Sequence, residues 1–431
     1  ATPRDTGGAL DAAPPARGRS TMRGSRVLTA VVAAGAVAAA TLTGSPAAQA
    51  ATPIVVWADA PHAAVLSTLL AKGFQGTPVE VVTKDLATMQ NDLTAAKAGT
   101  APDLVWGDLA WTGQLASAGT IVPVTMTAKR AAKFRPSVRA GNQVGKAFYG
   151  VPVQISNLAL VTNTTLVPKQ PATFAELSAK ALRLVKNKKA KVPLAIAQGS
   201  GANPYTTFPL FSGLGGYLFG TAKGGGLDPL DVGLSSKAMK KNAGQIDAWN
   251  KAGLLDPSLT TDAARTAFVK GKAPFWLAGP EDLATLMKLS FVYRIGALPP
   301  IVSGKKAAPL LTIHGFMVTK FAEKHGVAEQ AGALAAKYLT RPGVQQQLAA
   351  ASGWYPANTV AAAKVSTGGG RIKAIGNAGV DGVPMPNIPQ AGFVWEPYGT
   401  AWSVSTSGPS ATPAKKAFTI AQRAAVSAIK G

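Results

Sequence analysis

From Ile54 onward, short β-branched runs alternate with stretches whose apolar residues recur at helical spacing. That alternation restricts the chain to an α/β architecture with a largely parallel sheet. Residues 54–57, Ile-Val-Val-Trp, read as the first strand. A helix follows from Pro61, with Leu66, Leu69, Leu70 and Phe74 three and four residues apart and so on one buried face. Residues 79–82 give the second strand; Leu86, Met89 and Leu93 form the stripe of the next helix, which Gly99 closes; residues 104–106 give the third strand. Open α/β sheets bind ligands at the carboxyl ends of their strands. Here the first strand ends in Trp57-Ala58-Asp59 and the third in Trp106-Gly107-Asp108, with Trp111 just beyond. Two carboxylates and several indoles are thus sent to one rim. Taken singly, each also fits a plainer role, the Asp residues as helix caps and the indoles as sheet-edge packing.

The alternation continues beyond this first block. An apolar extended segment, residues 149–163, leads past Pro168 to a second region with strands at 191–197 and 273–277, mainly helix at 228–253 and a loop at 220–226. A third consists of a strand at 310–318 and a helix at 327–339, and residues 413–430 form a closing amphipathic helix. No short repeat and no linker separates the halves, which predicts lobes joined by several crossing strands.

The first fifty residues read differently. Met22, Arg23 and Arg26 precede a stretch of small apolar residues, 27–44, and the triplet Ala48-Gln49-Ala50. This is the pattern of an export signal cleaved after Ala50, with residues 1–21 an upstream extension; the alternative is a retained membrane anchor. The sequence contains no cysteine, which excludes disulfides, thiolate metal sites and thiol nucleophiles, and gives a lipid no thiol to attach to. The formal charge is +24, and the first fifty residues hold five basic and two acidic residues, so residues 51–431 carry +21. Nucleic-acid binding is disfavoured, because export argues against it and no aromatics interleave the basic residues. The densest basic run, Lys180 to Lys191, also contains Leu182, Leu184 and Val185 and so reads as a solvated helix face. The charge predicts a secreted protein held at an anionic cell envelope by an attraction that salt weakens.

Catalytic machinery is sparse. His62, His314 and His325 lie far apart and lack metal-ligand spacing. There is no G-x-S-x-G elbow, phosphate-binding loop or G-x-G-x-x-G, and no metal or organic cofactor is expected. Asp59, Asp108 and Glu281 offer carboxylates for glycoside hydrolysis, with no motif that pairs them. Binding without chemistry needs planar apolar faces and a few fixed polar groups, which the rim supplies. Sugar C–H faces suit aromatic rings, and carboxylates accept from sugar hydroxyls.

Several segments together resemble the maltose/maltodextrin-binding family of extracellular solute-binding proteins. Met385-Pro386-Asn387-Ile388-Pro389-Gln390 resembles the loop that in the family precedes a helix with a sugar-stacking tryptophan, the place of Trp395. The segment from Asn203 to Leu210, followed by Gly215-Gly216-Tyr217, resembles the one whose tyrosine contacts sugar, which gives that role to Tyr205. Residues 151–163 resemble the first hinge crossing, with Ser156 where an acidic contact is common and Asn157 beside it. Val56-Trp57-Ala58-Asp59 resembles the first strand and its ligand loop, and Asp59 matches the carboxylate. Residues 268–280 resemble an F-x-x-G-x-x-A stretch running to Asn-Gly-Pro, with Pro274 and Ala278 as departures.

Other departures fall on ligand positions. The tryptophan that commonly follows Gly-Pro is Glu281, leaving Trp276 as the nearest indole; Ala110 and Trp111 stand where the family has an acid and an Arg, so that Asp108 replaces the acid only with a shift of two positions. The resemblance implies an α/β fold of the two-lobed periplasmic-binding-protein type with a hinged interlobe cleft. Residues 51–155 and 316–355 would make the N-lobe, and 156–315 and 356–431 the C-lobe. It further implies a monomeric, non-enzymatic receptor that closes on an oligosaccharide and delivers it to the permease subunits of an ABC transporter. Alternatives are a receptor for an anionic glycan or other charged solute, a glycan-active enzyme on a similar scaffold, and a structural envelope protein with a degenerate cleft.

Overall fold

The computed structural model describes residues 51–199, 202–366 and 368–431, so the export-signal reading of residues 1–50 lies outside the described residues. Strand β1 (Ile54–Ala58) runs into Asp59, whose extended backbone starts helix α1 (Ala60–Leu69). Pro61 sits in the first turn of α1, where no amide donor is needed. Strand β2 (Val79–Thr83) leads to α2 (Leu86–Ala95), capped by the Asp85 carboxylate, which accepts from the Ala87 amide at 3.0 Å. Strand β3 (Leu104–Asp108) is followed by the short α3 (Thr112–Ser117).

Strands β4 (Val151–Ser156) and β5 (Ala159–Asn163) follow each other directly, yet they belong to different sheets. β5 is the centre of an antiparallel sheet, between β6 (Phe275–Ala278) and β7 (Tyr293–Gly296). β4 joins the first sheet, where the long β8 (Leu310–Thr319) runs antiparallel between β4 and β3, and β9 (Tyr355–Pro356) covers the other edge of β4. The order in that sheet is therefore β9-β4-β8-β3-β1-β2. The chain crosses from one sheet to the other at Asn157, ahead of β8, and after β9.

Helices α4 (Phe174–Lys186), α5 (Pro204–Gly213), α6 (Pro342–Ser352), α7 (Arg371–Ala378), α8 (Gly392–Ser405) and α9 (Ala414–Lys430) complete the frame. One core packs Leu66 of α1 with Trp106, Phe316 and Met317 of the first sheet and extends to Val161 and Trp276 of the second. The other core is aromatic. Phe211 meets Tyr398 edge-on at 4.9 Å and stacks on Phe418 at 5.5 Å, while the Tyr398 and Thr207 hydroxyls share a hydrogen bond of 2.9 Å.

Some sequence expectations change. The first sheet is parallel only around β1; β8 and β4 enter it antiparallel because they are crossing segments, and local alternation carries no information about the direction of a distant partner. Residues 191–197 form no strand, only a bridge from Ala195 to Trp276, since Pro193 interrupts the ladder by lacking an amide donor. Residues 228–253 begin as a strand, Leu227–Val232, before turning helical, and part of 220–226 pairs with it through Phe219–Thr221. The helix expected over 327–339 is Ala328–Ala333 followed by a π-helical turn, Leu334–Tyr338. α2 ends at Ala95, short of Gly99.

Phe211 is fully buried at the junction of α5, α8 and α9. Replacing it with alanine removes contacts to Tyr398 and Phe418 and leaves a cavity, which costs about 3–5 kcal/mol. Chemical denaturation of F211A is expected to read a loss of that size.

Candidate binding cleft

The carboxyl ends of β1 and β3 and the crossing strands β4 and β8 meet at one level. Thr312 of β8 stands opposite Ser156 of β4, and His314 stands between Asp108 of β3 and Gln154 of β4. Into this level comes Tyr205 from α5, whose first turn is fixed by the Asn203 carboxamide accepting from the Tyr205 amide at 3.0 Å. The Tyr205 phenol faces the hydroxyls of Ser156 and Thr312; burial first, then the nearby Glu281 carboxylate, push its pKa up to about 12. Asp108 also contributes to that shift, so groups from β3, β4, β8, α5 and the segment after β6 converge.

Asp108 ends β3 and caps the following turn, accepting from the Ala110 amide at 2.9 Å. Burial raises its carboxyl to about 6, and the Ala110 amide opposes the shift. Glu281 follows Gly279-Pro280 and folds its carboxylate back over Gly279, where an added Cβ would lie 2.3 Å from a carboxylate oxygen. Desolvation raises its pKa, the neighbouring Asp282 adds to that, and its own amide opposes it. The six-membered ring of Trp111 lies close against Gly107, where an added Cβ would collide with it.

Asp59 is held by a chain of polar groups. Its carboxylate pairs with Nδ1 of His62 one helical turn on; Nε2 of His62 lies 2.9 Å from the Gln154 carbonyl oxygen; the Gln154 amide donates to the Ser352 hydroxyl at 2.7 Å. The His62 ring stacks on Trp106 at 4.0 Å. His314 also stacks near Trp106, at 5.8 Å, and burial, with His62 adding to it, drives its pKa down to about 3. Among the described residues nothing bonds Nδ1 of His314 or Nε1 of Trp106. His325 is structural: it joins Asp103, itself the acceptor for the Val55 amide, to the Ala98 carbonyl.

The sequence motif around Asn387 has a clear structural task. Asn387 is buried and donates to the Gln143 carbonyl at 2.8 Å and towards the Thr112 hydroxyl at 3.4 Å. This clamps the start of α8, with half-buried Trp395, to the turn that carries Trp111.

Two of the residues singled out from sequence do not reach the cleft. Trp276 is 3 % exposed, on β6, and packs on Phe268 at 5.3 Å, because its register opposite Val161 turns it into the core. Asn157 is fully buried; its amide donates to the Ile375 and Leu158 carbonyls, which pins the crossing, and among the described residues nothing bonds its Oδ1. Conversely, Thr312, His62, Gln154 and Trp354 belong to this region and were not singled out as site residues. His62 had a local signal, a His three residues after an Asp on one helix face. Thr312 and Gln154 arrive by long-range strand pairing and Trp354 by the turn ahead of β9, and none of them leaves a local signal.

No group of His, Cys, Asp or Glu among the described residues has metal-site geometry. The arrangement offers acceptors, hydroxyls and aromatic faces, with no nucleophile set beside a base.

The two shifted groups give opposite pH signatures. Unfolded His314 titrates near its ordinary 6.5 but folded His314 near 3, so acidification across that window protonates only the unfolded chain and removes stability. Asp108 titrates near 6 when folded and 3.8 when unfolded, so acidification from 6 to 4 adds stability. Asp108→Asn is expected to raise Tm at pH 7, by up to about 3 kcal/mol of stability, and to lessen the gain on going to pH 5. His314→Leu is expected to lessen the loss between pH 6 and 4. Thermal melts across pH 4–8 check both.

Comparison with known proteins accords with this geometry. A maltodextrin-binding protein of Bacillus subtilis is 24 % identical over 308 residues, covering 69 % of this chain and 71 % of its own length. A galactooligosaccharide-binding protein of the same organism is 23 % identical over 367 residues, covering 82 % and 85 %. A maltotriose-binding protein of Pyrococcus abyssi is 25 % identical over 323 residues, covering 74 % and 68 %. An extracellular solute-binding protein of Staphylococcus aureus, solved with maltose, superposes with a TM-score of 0.77 at 22 % identity, covering 88 % of this chain and 98 % of that one. The fold is thus the two-lobed periplasmic-binding-protein type, and these relatives are binding proteins, not enzymes. A family model described as bacterial extracellular solute-binding protein matches residues 67–369, well over half of the chain, and the chain belongs to that family.

Proposed function

We propose that this protein captures a neutral oligosaccharide of the maltooligosaccharide kind outside the cell and presents it to the permease subunits of an ABC transporter. One lobe comprises residues 51–155 and 316–355, the other 156–315 and 356–431, and ligand draws them together about the β4, β8 and β9 crossings. The observation that carries this reading is the meeting of Asp108, Tyr205 and Glu281 over the Ser156–Thr312 rung. Carboxylates and hydroxyls from both sheets, beside indole faces, suit a ligand rich in hydroxyls and C–H faces. The names of the relatives, binders of maltodextrin, maltotriose and galactooligosaccharide, support the same ligand class. An anionic ligand fits less well, because the converging ionisable groups are acids. The protein acts as a monomer, and its net charge favours retention at an anionic envelope.

A ligand that binds only the folded state raises Tm. Thermal melts with maltose, longer linear α-glucans, a galactooligosaccharide and an anionic oligosaccharide are expected to rise with the neutral sugars. Tyr205→Phe is expected to weaken the best of them about tenfold, the worth of one good hydrogen bond. A rise with the anionic sugar alone would overturn the reading.

A further inference from the structure

Of the eight tryptophans, Trp106 and Trp402 are fully buried, and Trp57, Trp249 and Trp276 nearly so. Trp111, Trp354 and Trp395 remain half-buried. Trp111 precedes Thr112 and Trp395 lies on α8, so both are carried by elements that the Asn387 clamp joins, whereas Trp354 is carried by a turn that abuts the segment of Glu281. Trp276 cannot serve there.

We propose that the indole of Trp354 is the aromatic wall at the Glu281 end of the cleft, stacking on a sugar ring between the Asp59 and Glu281 carboxylates. The inference rests on the sugar-binding reading above. Its first support is position. Gly353 ends α6 in the left-handed conformation, φ 74°, and reverses the chain into β9. A Cβ on Gly353 would lie 3.3 Å from the side chain of Leu283, two residues beyond Glu281. The turn that carries Trp354 therefore abuts the segment that carries Glu281, although the two come from different sheets.

The second support is how the ring is held. Its face or edge meets His314 at 4.3 Å and 72°, a T-shaped contact. His314 is two residues from Thr312 on β8, a step of about 7 Å along a strand, so the histidine that Trp354 touches stands two rungs from the hydroxyls that face Tyr205. The third is shared anchoring. The Trp354 amide donates to the Ser352 hydroxyl at 3.2 Å, and that hydroxyl ends the chain running through Gln154 and His62 to Asp59. One set of bonds thus fixes a carboxylate and an aromatic face relative to each other, the pairing a pyranose needs. Trp354 would contact ligand directly; His314 and Ser352 position it.

The test is calorimetric titration of the full mature chain and of Trp354→Ala and Trp354→Phe with linear α-glucans of two to seven units. Expected is a loss of tenfold or more in W354A, growing with glucan length, and near-normal affinity in W354F, with Trp395→Ala weakening all lengths alike. Wild-type affinity in W354A for every glucan overturns the assignment while leaving the sugar reading intact. Absence of binding in the unmodified protein overturns both. If W354A melts early, Trp354→Leu decides: it fills the space without a π face, so a tenfold loss supports the proposal and retained affinity ends it.

Discussion

The antiparallel insertion of β8 between β3 and β4 is the constraint on which the cleft depends. Nearly every residue of that strand is buried, so its register cannot slip without turning apolar side chains out of the core. Fixing the register fixes Thr312 beside Ser156 and His314 between Asp108 and Gln154. The same strand is also a crossing between sheets. If the lobes move as proposed, the elements that bend would also carry the polar floor of the candidate site, and rotation about them would alter the distance between Asp108 and the pair Tyr205 and Glu281.

Electrostatics gives that geometry a direction. Asp108 and Glu281 are both desolvated enough to raise their pKa, and both act on the Tyr205 phenol. Stripping water from two such carboxylates without compensation is unfavourable, since the charged form of each loses its solvation. Sugar hydroxyls donate to ionised carboxylates and so offset that cost where water is excluded. On the proposed sugar-binding reading, closure would depend on ligand not through any single strong contact but because an empty closed state would leave these acids poorly solvated.

How much of this was legible in the sequence differs from element to element. The strand ends were legible: hydrophobic alternation located β1 and β3, and general knowledge of open sheets pointed to Asp59 and Asp108. Tyr205, Trp395 and the Asn387 loop came through resemblance. The inward placement of Trp276 and Asn157 is not legible, because a residue's place along a strand or crossing does not tell which face it presents; pairing with β5 turns Trp276 inward, and α7 covers Asn157 with its Ile375 carbonyl. Thr312 and Gln154 were out of reach, since their relevance exists only once strands more than a hundred residues apart are paired.

The strongly basic charge and the acidic cleft look contradictory until burial is considered. In α4 the buried residues are Phe174, Leu177 and Ala181, while Arg183, Lys186, Lys188, Lys189 and Lys191 are exposed on and after the helix, the solvated face the sequence implied. Long cationic side chains keep their charge in water at little cost, whereas the cleft concentrates groups whose charge is partly stripped of water. Net charge thus reports on the outside of this protein and on what its surface meets. On the proposed reading the ligand meets the few groups inside, and those that converge on Tyr205 are acids and hydroxyls.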